Sequence, residues 1–145
     1  MKKILTALAV IAQIALFAPV MASAAEDELA PKEITGAKTV DSDGVFEVFT
    51  THDDLVVIDS RKKRDYDAGH LEGAIRLINV ETDADSLAQT IPSKDTPVLF
   101  YCNGPKCGRA ADSVKIAVDN GYKNIFYYYK GMGEWKNLDL PVVVE

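Results

Sequence analysis

Short apolar runs that alternate with helix-forming segments constrain this chain more than any other feature. Residues 55–59, 74–79, 97–101 and 124–128 are each brief, rich in aliphatic and aromatic side chains, and separated by stretches of helical or turn character. A fifth run at 37–40 precedes them. Runs that are apolar throughout, rather than every second residue, belong to strands buried on both faces. Alternation with helices therefore predicts an α/β fold with a mainly parallel sheet covered on both sides.

The helices are less evenly marked. Ala110, Ala111, Val114, Ala117 and Val118 recur at helical spacing from about Arg109, and Asn120-Gly121 supplies a stop. Residues 43–50 are ambiguous, because Val45, Phe46, Val48 and Phe49 prefer strands by propensity yet sit at positions that share one helix face. The spacing is read here as a helix. Asp67-Ala68-Gly69 and the segment 91–95 are turn-forming connections.

The first residues read as an address. Lys2 and Lys3 precede an apolar stretch from Ile4 to Val20, and Ala22-Ser23-Ala24 forms a small-residue cleavage site before Glu26 and Asp27. A membrane anchor is the competing reading, but the stretch is short and contains Gln13 and Pro19. The expectation is a cleaved signal peptide at 1–24, an extension at 25–33, one domain at 34–145, and a soluble periplasmic protein. Cleavage leaves 121 residues, enough for a core without disulfide staples. Loss of Lys2 and Lys3 takes the formal charge from −6 to −8, which disfavours nucleic acid and anionic membranes as partners.

Cys102 follows the run Val98-Leu99-Phe100-Tyr101 and opens the segment Asn103-Gly104-Pro105-Lys106-Cys107-Gly108, which leads directly into the helix at Arg109. A thiol placed between a strand end and a helix N-terminus meets unpaired backbone N–H groups, which favour its thiolate and any approaching anion. Cys102 is the candidate nucleophile. Asn103, Gly104, Lys106, Gly108 and Arg109 are candidate substrate contacts, and Lys106 and Arg109 place positive charge beside the loop of an acidic chain. Cys107 has three open readings: a bystander, a disulfide partner, or a resolving or relay thiol.

Three separated signatures carry a family resemblance. Asp59-Ser60-Arg61, then Asp65-Tyr66, then Gly69-His70-Leu71-Glu72-Gly73-Ala74 form the first; the six residues from Cys102 to Cys107 form the second; Gly131-Met132-Gly133-Glu134-Trp135 with Leu140-Pro141-Val142 form the third. Together they resemble the rhodanese-like sulfurtransferases over about residues 34–143. The resemblance implies a three-layer rhodanese fold with a five-stranded sheet, Cys102 as sulfur carrier, and Asp59 and Arg61 as supports of the site. It also implies a small sulfur anion such as thiosulfate or a polysulfide as donor, a thiol or another nucleophile as acceptor, and no cofactor. The chain departs from the family pattern at Glu72, where proline is usual, at Pro105, which removes a loop N–H, and at Cys107, where a hydroxyl residue is common. His70 is expected to be structural, and Tyr127, Tyr128, Tyr129 and Trp135 to belong to core and rim.

The energetics of such a site follow from the residues. Lowering a thiol from about 8.5 by about two pKa units takes roughly 2.7 kcal/mol of differential stabilisation. A helix terminus contributes roughly 0.3–1 kcal/mol. The rest falls to charge-assisted N–H bonds, each about 1.5–3 kcal/mol, so Gly104 and Gly108 are expected to supply the backbone angles that turn amides inward. A cysteine phosphatase fits poorly, because six residues rather than five separate Cys102 from Arg109 and Tyr101 stands where histidine is usual. A thiol-disulfide redox protein using Cys102 and Cys107 is the stronger alternative, if their Cα atoms lie within about 7 Å. A sulfur carrier without turnover would share the persulfide. The two cysteines make a poor metal site, having only distant histidines.

Overall fold

The structure, a computed structural model, describes residues 28–144; the expected leader at 1–24 lies outside them. Five strands, β1 (Ala37–Val40), β2 (Val56–Asp59), β3 (Ala74–Arg76), β4 (Val98–Tyr101) and β5 (Ile125–Tyr128), form one sheet in the order β1-β5-β4-β2-β3. Every pairing is parallel. The helices are α1 (Ser42–Thr51), α2 (Lys63–Asp67), α3 (Ala84–Thr90), α4 (Arg109–Asp119) and α5 (Gly131–Asn137).

Side chains alternate across the sheet and so build two cores. Ile58, Val98, Phe100, Ile125 and Tyr127 pack with Leu87 of α3 and with Ala110, Ala111, Val114 and Ala117 of α4. Val57, Leu99, Tyr101 and Tyr128 pack on the other face with Val45 of α1 and with Met132 and Trp135 of α5. The adjacent residues Tyr101 and Cys102 consequently enter different cores.

The ambiguous 43–50 segment is helical. Asp41 caps it by accepting the Gly44 N–H at 3.1 Å, and the apolar face buries Val45 and Val48. Burial of that face outweighs the weak strand propensity of its β-branched residues. Phe46 stays 44% exposed, with its ring 5.2 Å from Trp135. The expected strand at 74–79 stops at Arg76. Its only sheet neighbour, β2, ends at Asp59, and Leu77 N–H closes the pairing on the Asp59 carbonyl at 3.0 Å before a 3-10 turn at Asn79–Glu81. α2, α3 and α5 were not marked by periodicity, being only five to seven residues long.

Candidate active site

The carboxyl ends of β2 and β4 lie side by side, with Asp59 in register with Tyr101. Parallel strands joined by helices leave the space beyond those ends to loops. The segment after Tyr101 is therefore placed beyond the carboxyl end of the sheet, where ligands of open α/β folds bind.

Beneath that end sits a buried polar hub. The Arg61 guanidinium donates to the Asp59 carboxylate through Nε and Nη2 at 2.5–2.9 Å, and Nη2 also donates to the Gly69 carbonyl at 2.8 Å. The Tyr101 hydroxyl donates to Asp59 at 2.6 Å and accepts the Leu71 N–H at 3.1 Å. Burial works to lower the Arg61 pKa, but the hydrogen bonds and charge of Asp59 outweigh it and hold the guanidinium firmly protonated. Burial, reinforced by Asp59, pushes the Tyr101 phenol far above its ordinary value, so it remains a donor. Asp59 and Arg61 thus join β2, β4 and the Gly69–Leu71 turn. His70 completes that turn: its ring stacks on Tyr66 with centroids 3.9 Å apart, and its backbone bridges to Val143.

The cysteine loop is positioned from its other side by α5. Met132 N–H donates to the Cys102 carbonyl at 2.9 Å and Gly133 N–H to the Asn103 carbonyl at 2.8 Å. Because C=O and N–H point in opposite directions across a trans peptide, the N–H groups of Asn103 and Gly104 are directed away from α5. Gly131 makes this approach possible. Its φ is +56°, and a Cβ there would overlap the Cys102 carbonyl oxygen. α5 is itself anchored by Glu134, which accepts from Tyr128 Oη at 3.0 Å, Lys130 Nζ at 2.6 Å and Ser42 N at 3.1 Å.

Within the loop, Gly104 adopts φ +150°, an angle that favours glycine, and Cys107 N–H closes a turn onto its carbonyl at 2.8 Å. Gly108 differs from expectation. It caps α4 with an ordinary φ of −72°, so its role is not to supply an unusual angle. No side chain caps α4, whose N-terminus opens at the loop and contributes positive potential there. Asn103 reaches out to Asp65 at 3.2 Å, Arg109 Nε donates to the Ser60 carbonyl at 3.2 Å, and Ala30 N–H of the N-terminal extension donates to the Pro105 carbonyl at 2.7 Å.

Asn103, Gly104, Pro105, Lys106, Cys107 and Arg109 line a concavity of about 410 Å³. Cys102 is not among the lining residues. It is 2% exposed, packs in the α4 core, and forms a disulfide with Cys107, with Cα atoms 6.3 Å apart. Cys107 is half-buried. Among the described residues, no group of three or more His, Cys, Asp or Glu side chains is placed to hold a metal ion. The hub around Tyr101 was missed by sequence reasoning, since the residue's partner is 42 positions away and only strand register brings them together.

The rhodanese-like domain profile matches residues 48–138, spanning β2 to β5 and the whole cysteine loop. The chain belongs to the rhodanese-like domain family. It is 37% identical over 89 residues to the HTH-type transcriptional regulator Rv0324 of Mycobacterium tuberculosis, covering 61% of this chain but only 38% of that protein. It is 28% identical over 113 residues to YibN of Escherichia coli K12, covering 77% of each. Among solved structures, the fold is similar to a polysulfide-sulfur transferase homodimer of Wolinella succinogenes, with a TM-score of 0.60 and 20% identity over 76% of this chain and 80% of that one. A thiosulfate sulfurtransferase of Pseudomonas aeruginosa gives a TM-score of 0.62 and 14% identity over 74% of this chain and 20% of that one. At these identities the structural likeness speaks for the fold.

Proposed function

We propose that this rhodanese domain is a sulfurtransferase in which Cys102, once reduced, takes a sulfane sulfur from thiosulfate or a polysulfide and passes it to a thiol. The carrying observation is the placement of Cys102 at the C-terminal end of β4, in a loop whose first two carbonyls are held by α5 and which runs into the uncapped end of α4. Amides released by that arrangement stabilise a thiolate and the anion that leaves it. Asn103, Gly104, Lys106, Gly108 and Arg109 would form the anion cradle, with Asp59 and Arg61 supporting the strand ends beneath. The proposed donor is anionic, because Lys106 and Arg109 flank the concavity.

The attack needs no acid or base at the sulfur. Cys102 thiolate bonds to the outer sulfur of thiosulfate while the sulfur–sulfur bond breaks and sulfite departs with the electron pair. The test uses reduced Cys107→Ser protein incubated with thiosulfate or inorganic polysulfide. One added sulfur on Cys102, absent in Cys102→Ser, supports the proposal; no added sulfur from either donor overturns it.

The closed bridge favours a second reading, in which the pair exchanges disulfides with a partner and never carries sulfane sulfur. Reduced protein that is reoxidised by a disulfide donor but takes sulfur from neither anion would establish it. The proposed site of action is the periplasm, after removal of residues 1–24. Mature protein whose N-terminus is Ala25 would support export, and a retained Met1 would refute it.

A further inference from the structure

Cys102 and Cys107 are bonded to each other but face different surroundings. The first is sealed in the α4 core, while the second lines the concavity beside Lys106 and Arg109. We propose that Cys107 discharges the Cys102 persulfide inside the same chain, releasing hydrogen sulfide and closing the bridge, which an external dithiol then reopens by attacking Cys107. The proposal rests on the persulfide reading above and names the class of its acceptor.

Reach carries the argument. The Cα atoms lie 6.3 Å apart, a separation that a disulfide spans. The loop conformation in which it forms is the one α5 holds through Met132 and Gly133. With the loop in that conformation, Cys107 Sγ lies within bonding reach of Cys102 Sγ. The atom it reaches is the inner sulfur of a Cys102 persulfide, the carbon-bonded one, so its attack expels the outer sulfur rather than accepting it. A nucleophile held at contact distance in the same chain also has a large advantage over one arriving from solution.

The step balances. Cys107 thiolate forms the Sγ–Sγ bond; the bond between Cys102 Sγ and the outer sulfur breaks; the outer sulfur leaves with the electron pair and takes a proton from water as hydrogen sulfide anion. The two protein thiols lose two electrons in total and the sulfane sulfur gains them. With thiosulfate as donor, one dithiol form and one thiosulfate give one disulfide form, one sulfite and one sulfide. Exposure directs the return path. A thiolate of the external dithiol attacks Cys107 Sγ, Cys102 leaves with the electron pair and takes a proton from water, and the second external thiol resolves the mixed disulfide, freeing Cys107.

The experiment is a single turnover. Wild type, Cys107→Ser, Cys107→Ala and Cys102→Ser proteins are reduced, freed of reductant and given thiosulfate. Sulfite, sulfide, free thiols and intact mass are then read together. Wild type should release one sulfide with each sulfite and lose both thiols, whereas both Cys107 variants should release sulfite, retain one added sulfur and lose the sulfide signal. If wild type instead keeps the added sulfur and releases no sulfide, the discharge is refuted and the persulfide reading stands. If no protein releases sulfite or gains sulfur, both fall. Two Cys107 variants guard against a folding defect peculiar to one, and thermal melting verifies that each is folded.

Discussion

The end of β4 is fastened in two chemically different ways, to β2 by an ionic hub and to the loop that follows it by a covalent bridge. At Asp59, Arg61 and Tyr101 the link is ionic, buried and saturated with hydrogen bonds, and it joins three segments distant in sequence. One residue past β4, the link is a covalent bridge five positions long, within a loop that α5, Asp65 and the Ala30 N–H also hold. The first has its partners sealed inside the fold. The second opens on reduction. A precise floor that does not react lets the loop above it change its bonding while the strand ends stay in place.

The largest test of this contrast breaks the hub. Asp59→Ala leaves the Arg61 charge buried without its partner and should cost about 3–5 kcal/mol, read as a fall in the urea midpoint. Replacing both, as Asp59→Leu with Arg61→Met, should recover most of that loss. A single change below about 1 kcal/mol would show that the hub does not hold the strand ends.

Gly131→Ala attacks the support of the loop. Its left-handed angle and the overlap with the Cys102 carbonyl should cost about 1–3 kcal/mol, and in the Cys107→Ser background should sharply reduce sulfur loading. Full loading would mean that α5 does not set the loop geometry. Reducing the bridge in the wild type should lower stability by about 2 kcal/mol or less, since the closed loop is short. The same reductant should leave the melting of Cys107→Ser unchanged.

The smallest effect concerns acid. The Asn103 side chain, opposed by slight burial and helped by Arg64, holds the Asp65 carboxyl below its ordinary value of 3.8. A folded-state pKa below the unfolded one adds stability at neutral pH that persists above the ordinary value and is lost as pH falls through the folded one. Asn103→Ala should therefore shift the onset of acid unfolding slightly upward, with little effect at pH 7. An unchanged onset would show that the Asp65–Asn103 contact does not tie the loop to α2.

Much of the architecture was legible because it depends on local pattern. Residues 97–101 are apolar without interruption and so must be buried on both faces, and the spacing of Ala110, Val114 and Ala117 suits only a helix. The apolar run at 74–79 outlasts β3 because nothing in 77–79 reveals that β2 has already ended. α5 carries Gly131 and Gly133, poor helix formers, and its helical state comes from packing Met132 and Trp135 against the sheet and from the bonds of Glu134. For the candidate site, the strand-to-loop position of Cys102 was readable, and the bridge remained one of three readings for Cys107.

By itself the sequence determined the alternation of strands and helices, the two cysteines five positions apart, and the cations beside them, since each depends on neighbours along the chain. Tertiary structure decided that Asp59 meets Tyr101, that α5 takes the loop's carbonyls, and that the two sulfurs join with one buried and the other beside the concavity. These are contacts between segments whose distance and orientation come from strand register and helix packing, which no local pattern encodes.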